Sequence, residues 1–272
     1  MVRKGMAGEH RPSQTGTGGG LLDAADPPAV GVINPFGRSP FLLIGDHAGN
    51  RIPAALGTLG LSALDRGRHI AWDIGVGALG VGLSAALDAV FVRQVYSRLV
   101  IDCNRDPAGA EAIPEASDGT PIPDNIGLSA AQRTTRIAAI HAPYQHAIAT
   151  EIARRDAAGQ DTVLVSLHSF TPEMDGVARP WDVGVLHDGG RDQFARALLA
   201  ELRMSPALVV GDNAPYRMDA TDHTVPRHAA GRLRYVELEI AQRVLQHSDG
   251  ITGWTAILAA ALDAAMARES GR

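Results

Sequence analysis

Short apolar runs alternating with longer segments of helical periodicity predict an α/β domain. Its sheet should be mostly parallel or mixed and covered by helices on both faces. Two runs carry most of that expectation. "FLLIG" at residues 41–45 is apolar almost throughout, and "TVLVSLHSF" at 162–170 is the clearest buried strand in the chain. The third observation is negative: no internal repeat and no clear linker follows residue 40, so one domain spanning 39–272 is expected.

Residues 1–38 are rich in Gly, Pro, Ser and Thr, with "TGTGGG" in the middle, and read as a flexible N-terminal lead whose last part lies on the domain. After the "FLLIG" strand, "WDIGVGALGVGLSAALDAV" predicts a helix whose small residues allow close packing. "VFVRQV" predicts a second strand and "LVID" a third. A loop full of Pro, Asp and Gly covers 105–128. Ser129 then caps a long helical segment reaching Gly159. Beyond "TVLVSLHSF" come the strand "WDVGVLHD", the helix "RDQFARALLAELR", the strands "ALVVGD" and "LRYVELEI", and a C-terminal helix "GWTAILAAALDAAMAR".

Composition narrows the function. The chain has 272 residues, 45% of them hydrophobic, and a formal charge of −5, with no Lys/Arg-rich run to meet a nucleic acid or a membrane surface. The one cysteine, Cys103, excludes an internal disulfide framework and fits a reducing cytoplasm. No apolar stretch reads as a membrane span, and the N-terminus lacks the apolar core of a signal peptide.

In open α/β sheets, ligands bind beyond the carboxyl ends of the strands. The first strand delivers Asp46 and His47 to such an end, "TVLVSLHSF" delivers His168, and "WDVGVLHD" delivers His187 and Asp188. "LVIDCNR" delivers Asp102, Asn104 and Arg105, and "YVELEI" puts Glu237 and Glu239 on one face of a strand. A lone histidine at a strand end is ordinarily a hydrogen-bonded structural residue. Two at the ends of different strands, with carboxylates nearby, point instead to a metal, since two imidazoles, a carboxylate and an open position make a catalytic zinc site. Arg105 is either a surface ion-pair partner or a bidentate carboxylate clamp. Glu239 is either a paired structural carboxylate or a general base. Neither HExxH nor CxxC is present. There is also no GxSxG elbow and no Walker loop, and "GVGALG" lacks the strand that a dinucleotide fingerprint needs before it. Cys103 between Asp102 and Asn104 is a weak candidate nucleophile.

Taken in order, "LLIGDHAGNRIP", "HIAWDIGVGALG", "YSRLVIDCNRD", "LVSLHSFTPEMDGVARPWDVGVLHD", "GDNAPY" and "YVELEI" resemble the N-formylglutamate amidohydrolase family from about residue 40 to 245. That family is similar to zinc carboxypeptidases and to the succinylglutamate desuccinylase and aspartoacylase enzymes. The resemblance implies a phosphorylase/hydrolase-like three-layer fold with a central mixed sheet and helices on both faces. It also implies a zinc-activated water that hydrolyses the amide of an acidic N-acyl amino acid, a small-molecule substrate. By the same resemblance, His47 and His168 hold Zn²⁺, and Asn104 and Arg105 bind the substrate carboxylate. Arg98 or Arg179 is then available for a second carboxylate, and Glu239 acts as the catalytic glutamate. Where relatives carry His-x-x-Glu, this chain has Asn50 three residues after His47. An amide is a poor zinc ligand beside a carboxylate, so the third ligand must come from elsewhere, with Asp73 the first choice and Asp46 the second.

Overall fold

The computed structural model describes residues 20–174, 176–229, 231–269 and 271. A seven-stranded mixed sheet runs through its middle, in the order β1-β3-β2-β6-β11-β9-β10. Its strands are β1 (Val30–Ile33), β2 (Phe41–Gly45), β3 (Val90–Gln94), β6 (Val163–Phe170), β9 (Val183–Leu186), β10 (Val210–Asp212) and β11 (Arg234–Ala241). Two short hairpins, β4–β5 (Ala116–Ser117 and Thr120–Pro121) and β7–β8 (Glu173–Met174 and Val177–Ala178), stand outside it. The helices are α1 (Ala63–Gly67), α2 (Val76–Leu87), α3 (Ala130–Arg136), α4 (Ala142–Ala157), α5 (Gln193–Leu202), α6 (Thr224–His228) and α7 (Ser248–Glu269). The expected α/β architecture, a mixed sheet between two helical layers, is the one observed.

Strands β3, β2, β6 and β11 are parallel neighbours, so their carboxyl ends share one edge. Every residue of β6 is buried, and so is every residue of β11 after Arg234, because helices or loops cover both of their faces. Side chains alternate between those faces. On one, Leu43, Val165, Leu238 and Ile240 pack against Leu79 and Leu83 of α2, Phe194 and Leu198 of α5, and Trp254 and Leu258 of α7. On the other, Leu42, Ile44, Leu164 and Tyr235 pack against Tyr144, Ile148 and Ile152 of α4. That second face stays apolar only part of the way. With the same period of two it continues as Ser166 and His168 on β6 and as Glu237 and Glu239 on β11. The register sets Glu237 beside Ser166 and Glu239 beside His168.

Five sequence expectations change. The lead expected over 1–38 is ordered in part: Leu21 and Ala29 are buried, and β1 pairs antiparallel with β3 as an edge strand. "VGVI" is too short and too closely framed by turn residues to announce itself, and its partner β3 makes it a strand. Residues 1–19 lie outside the described residues. "LVID" is a turn rather than a strand, with Val100 N donating to Ser97 O at 2.9 Å. The helix after Ser129 has the expected capping box with Gln132, but a π-helical turn at Ile137–His141 interrupts it. Pro143, just beyond, has no N–H to continue the α pattern.

β9 runs antiparallel to β11, so His187 and Asp188 leave it toward the opposite edge of the sheet. There His187 meets Asp212 at 3.0 Å and takes no part in the assembly at the carboxyl edge. Lastly, α7 is long and apolar enough to cross a membrane by length and composition, with a mean hydropathy of 1.4, although no such stretch was expected. It lies instead on α2 and α5, with Trp254, Leu258, Leu262 and Ala265 buried.

Candidate active site

Three segments meet at the carboxyl edge. The turn after β2 supplies His47, and β6 supplies His168. Asp73 arrives from the stretch before α2, where its N–H donates to His47 O at 2.9 Å. Gly75, at φ +87, turns the chain from Asp73 into α2, and a Cβ there would sit 2.4 Å from the Leu245 Cβ. The result is a convergent donor set. Asp73 Oδ2 lies 2.9 Å from His168 Nδ1 and 3.4 Å from His47 Nδ1, and one ligand atom from each residue falls within 4.8 Å of the others. All three residues are buried.

The far nitrogens of both rings are held by carboxylates. His47 Nε2 is 2.7 Å from Asp102 Oδ1, and Arg98 Nη2 donates to the other oxygen of Asp102 at 2.7 Å. His168 Nε2 lies 3.3 Å from Asp46 Oδ2 and 3.1 Å from Ser166 Oγ. Each ring is thus oriented through Nε2 and turns Nδ1 inward. His47 Nδ1 is buried with no hydrogen-bond partner among the described residues. Two imidazole nitrogens and one carboxylate, each histidine backed by a carboxylate, suit a borderline divalent cation such as Zn²⁺ and leave coordination positions open.

The electrostatics agree. Burial works to raise the Asp73 carboxyl, but His47 and His168 overcome it and hold it below the usual carboxylate range. Burial likewise works against charging His168, yet its bonds to Asp46 and Asp73 push it well above an ordinary histidine. Such rings carry protons that a bound metal would displace. On the neighbouring strand β11, burial pushes Glu237 up to about 7 against the pull of His168, and lifts Glu239 well above the ordinary value, aided by Asp73 and Glu237. Each has a buried Oε2 with no partner among the described residues.

These groups line a cavity of about 330 Å³. Arg105 stands in its wall; Nη1 donates to Asn104 O at 2.9 Å, and Asp222 lies 3.7 Å away. Arg98 also lines it, but is committed to Asp102 and lies 3.6 Å from Asp73. Two residues proposed as substrate contacts have other tasks. The Asn104 side-chain Oδ1 accepts from the N–H groups of His223 and Thr224, each at 3.0 Å, and its Nδ2 donates to Asp222. Arg179 is absent from the cavity lining: it donates to Tyr216 Oη at 2.8 Å and stacks over that ring at 4.7 Å. Asn50, in the place of the relatives' glutamate, donates to Arg66 O away from the donor set. Asp102, Thr224 and the cavity residues Tyr216 and Arg217 stand at the site with no role expected for them from the sequence. A carboxylate two residues before "NR" was the available signal for Asp102 and the "GDNAPY" motif for Tyr216; nothing local marked Thr224 or Arg217.

The sequence profile of the N-formylglutamate amidohydrolase family matches residues 39–245. Among solved structures, a gene product from Agrobacterium tumefaciens is 36% identical and superposes with a TM-score of 0.88, covering 92% of this chain and 99% of its own. The N-formylglutamate amidohydrolase from Ralstonia eutropha JMP134 is 19% identical with a TM-score of 0.63, covering 90% of this chain and 99% of that one, a likeness of fold. No curated protein matches the sequence. With that profile running from the start of β2 through the buried donors to the end of β11, the chain belongs to the N-formylglutamate amidohydrolase family, hydrolases of amide bonds.

Proposed function

We propose that the protein is a zinc-dependent amidohydrolase acting on N-acyl derivatives of acidic amino acids, most simply N-formyl-L-glutamate, which it would convert to formate and glutamate. One observation carries the reading: two histidine Nδ1 atoms and the Asp73 carboxylate converge in a cavity that also holds two buried glutamates, each with an unpartnered Oε2 among the described residues. A Zn²⁺ ion held by His47, Asp73 and His168 would polarise the scissile carbonyl and bring the pKa of a water toward neutrality.

The chain's own groups do the rest. Glu239 accepts the proton of the attacking water and passes it to the leaving amine. Its raised pKa suits that return of the proton, and positive charge at the neighbouring donor set favours the carboxylate that starts the cycle. Arg105 clamps the α-carboxylate through N–H groups not committed to Asn104 and Thr221. The second carboxylate of an acidic substrate needs another cation. Arg217 lines the same cavity, whereas Arg98 is balanced by Asp102 and Asp73, and Arg179 is engaged with Tyr216. The one cysteine, buried at Cys103, supports a cytoplasmic setting.

A panel of N-acyl amino acids varied in acyl group and side chain, assayed with and without added zinc, tests this reading. Preference for formyl on an acidic amino acid is expected, and zinc-independent turnover would end the metal reading. Glu239→Gln should keep metal and KM but lose about 10²–10⁴-fold in kcat, with Glu237→Gln losing far less.

A further inference from the structure

Behind His168, hydrogen bonds run from His228 through Gln145 and Thr224 to Asp46, whose free oxygen makes an ion-pair contact with the His168 ring. His228, on α6, is buried and held neutral, its pKa pushed down to about 4 by desolvation. Its Nε2 lies 2.7 Å from Gln145 Oε1, which can only accept. Gln145 Nε2 in turn donates to Thr224 Oγ1 at 3.1 Å and to Cys103 O at 2.8 Å. The Thr224 hydroxyl has one proton and two acceptors within reach, the Asp46 carboxylate at 2.7 Å and the Cys103 carbonyl at 3.2 Å. The shorter, charge-assisted bond takes it. Asp46, receiving a donor on Oδ1, presents Oδ2 to His168 Nε2 at 3.3 Å as an ion-pair contact, beside the Ser166 hydroxyl at 3.1 Å. A carboxylate there places the ring proton on Nε2 and frees Nδ1 toward Asp73.

Thr224 does not hold itself in place. Its N–H and that of His223 both bond to Asn104 Oδ1. Asn104 lies two residues beyond Asp102, the carboxylate that orients His47, and Asp102 Oδ1 accepts the Asn104 N–H at 2.8 Å. The segment Asp102–Asn104 and the start of α6 therefore tie together the outer nitrogens of both histidines.

We propose that Thr224 is a positioning residue for the metal centre: its hydroxyl, set in place by Asn104, fixes Asp46 and through Asp46 the tautomer and direction of His168. The proposal rests on the zinc reading above and adds to it a residue that touches neither metal nor substrate.

The test uses purified full-length protein stripped of metal. Zn²⁺ affinity is measured by chelator competition, and the visible spectrum of the Co²⁺-loaded form reports the ligand field. Thr224→Val removes the hydroxyl at nearly constant volume. It should weaken Zn²⁺ binding about 10–100-fold, the range for lost outer partners of a ligating histidine, and alter the Co²⁺ bands. Thr224→Ser should restore both. A merely structural role predicts a lower melting temperature for metal-free Thr224→Val with affinity and spectrum unchanged, and that result overturns the proposal. Should Thr224→Val not fold, Asp46→Asn decides the matter. It keeps an acceptor for Thr224 but no longer the carboxylate that fixes the His168 proton, so wild-type affinity in it also overturns the proposal. A wild-type protein that binds no zinc would instead sink the function proposed above, leaving the two failures distinct.

Discussion

The two faces of the sheet are built from the same strands and do opposite things. Under α2, α5 and α7 the face is largely apolar: Leu43, Val165 and Leu238 meet Leu83, Phe194, Trp254 and Leu258 without a charge among them. On the other face the apolar packing under α4 gives way to His168, Glu237 and Glu239, with Asp46, His47 and Asp73 beside them, all buried. Desolvating so many ionisable groups works against folding, and each must be offset by a partner or by a change of protonation state. The first face supplies the surplus stability that lets the second be held in a set geometry. Stability and chemistry are thus separable by face, and substitutions should show it.

The largest effect is expected at the centre of the polar face. Asp73→Asn should lower Zn²⁺ affinity by more than about 100-fold, beyond the cost of an outer partner, and take activity with it while circular dichroism stays as in the wild type. Retained affinity would remove Asp73 from the site. Next comes the apolar face. Leu258→Ala should cost about 2–5 kcal/mol in urea unfolding with kcat/KM of the folded protein unchanged. A fall in kcat/KM there would mean that the faces are coupled.

A smaller effect is expected at the cavity wall. Arg105→Lys keeps the charge but not the fork, so KM should rise about tenfold, as for one lost charge-assisted hydrogen bond, with kcat held. A drop in kcat at constant KM would move Arg105 into the chemistry. The smallest is the pH response of His228. Its folded-state pKa of about 4 lies below the ordinary 6.5, so the unfolded chain binds the extra proton between them. The stability tied to neutral His228 is full above pH 6.5 and is lost as pH falls toward 4. His228→Gln can still donate to Gln145 and does not titrate, so its melting temperature should fall less steeply over that window. Parallel curves would show that the proton is taken up elsewhere.

How much of this was legible in the sequence follows the same division. Strands β2 and β6 declare themselves because burial on both faces makes them largely apolar, β11 shows as an alternation of Val236, Leu238 and Ile240 with two glutamates, and helical periodicity marks α5 and the segment after Ser129. The placement of His47 and His168 at strand ends could be read for the same reason, and the departure at Asn50 directed attention to Asp73. Direction and pairing could not. Nothing in "WDVGVLHD" encodes that β9 runs against β11, which alone sends His187 to the other edge. Asn104 looks like half of a substrate-binding pair until its partners appear, 119 and 120 residues away at His223 and Thr224. Hydrogen bonds over such separations leave no local pattern.

The place of β11 bears on how the chain is made. It is the last strand to emerge during synthesis, yet it occupies an interior position between β6 and β9. Until it arrives, β9 and β10 have no route into the sheet, and the flank of β6 that β11 will cover presents an unpaired row of backbone donors and acceptors. Exposed edges of that kind invite pairing with other chains. The nascent protein therefore passes through an interval, from the completion of β6 to the emergence of Ala241, in which one side of its central sheet is open. Chaperone demand should be concentrated there, and a ribosome stalled before Arg234 should hold a chain prone to aggregation even though every proposed metal ligand has already been translated.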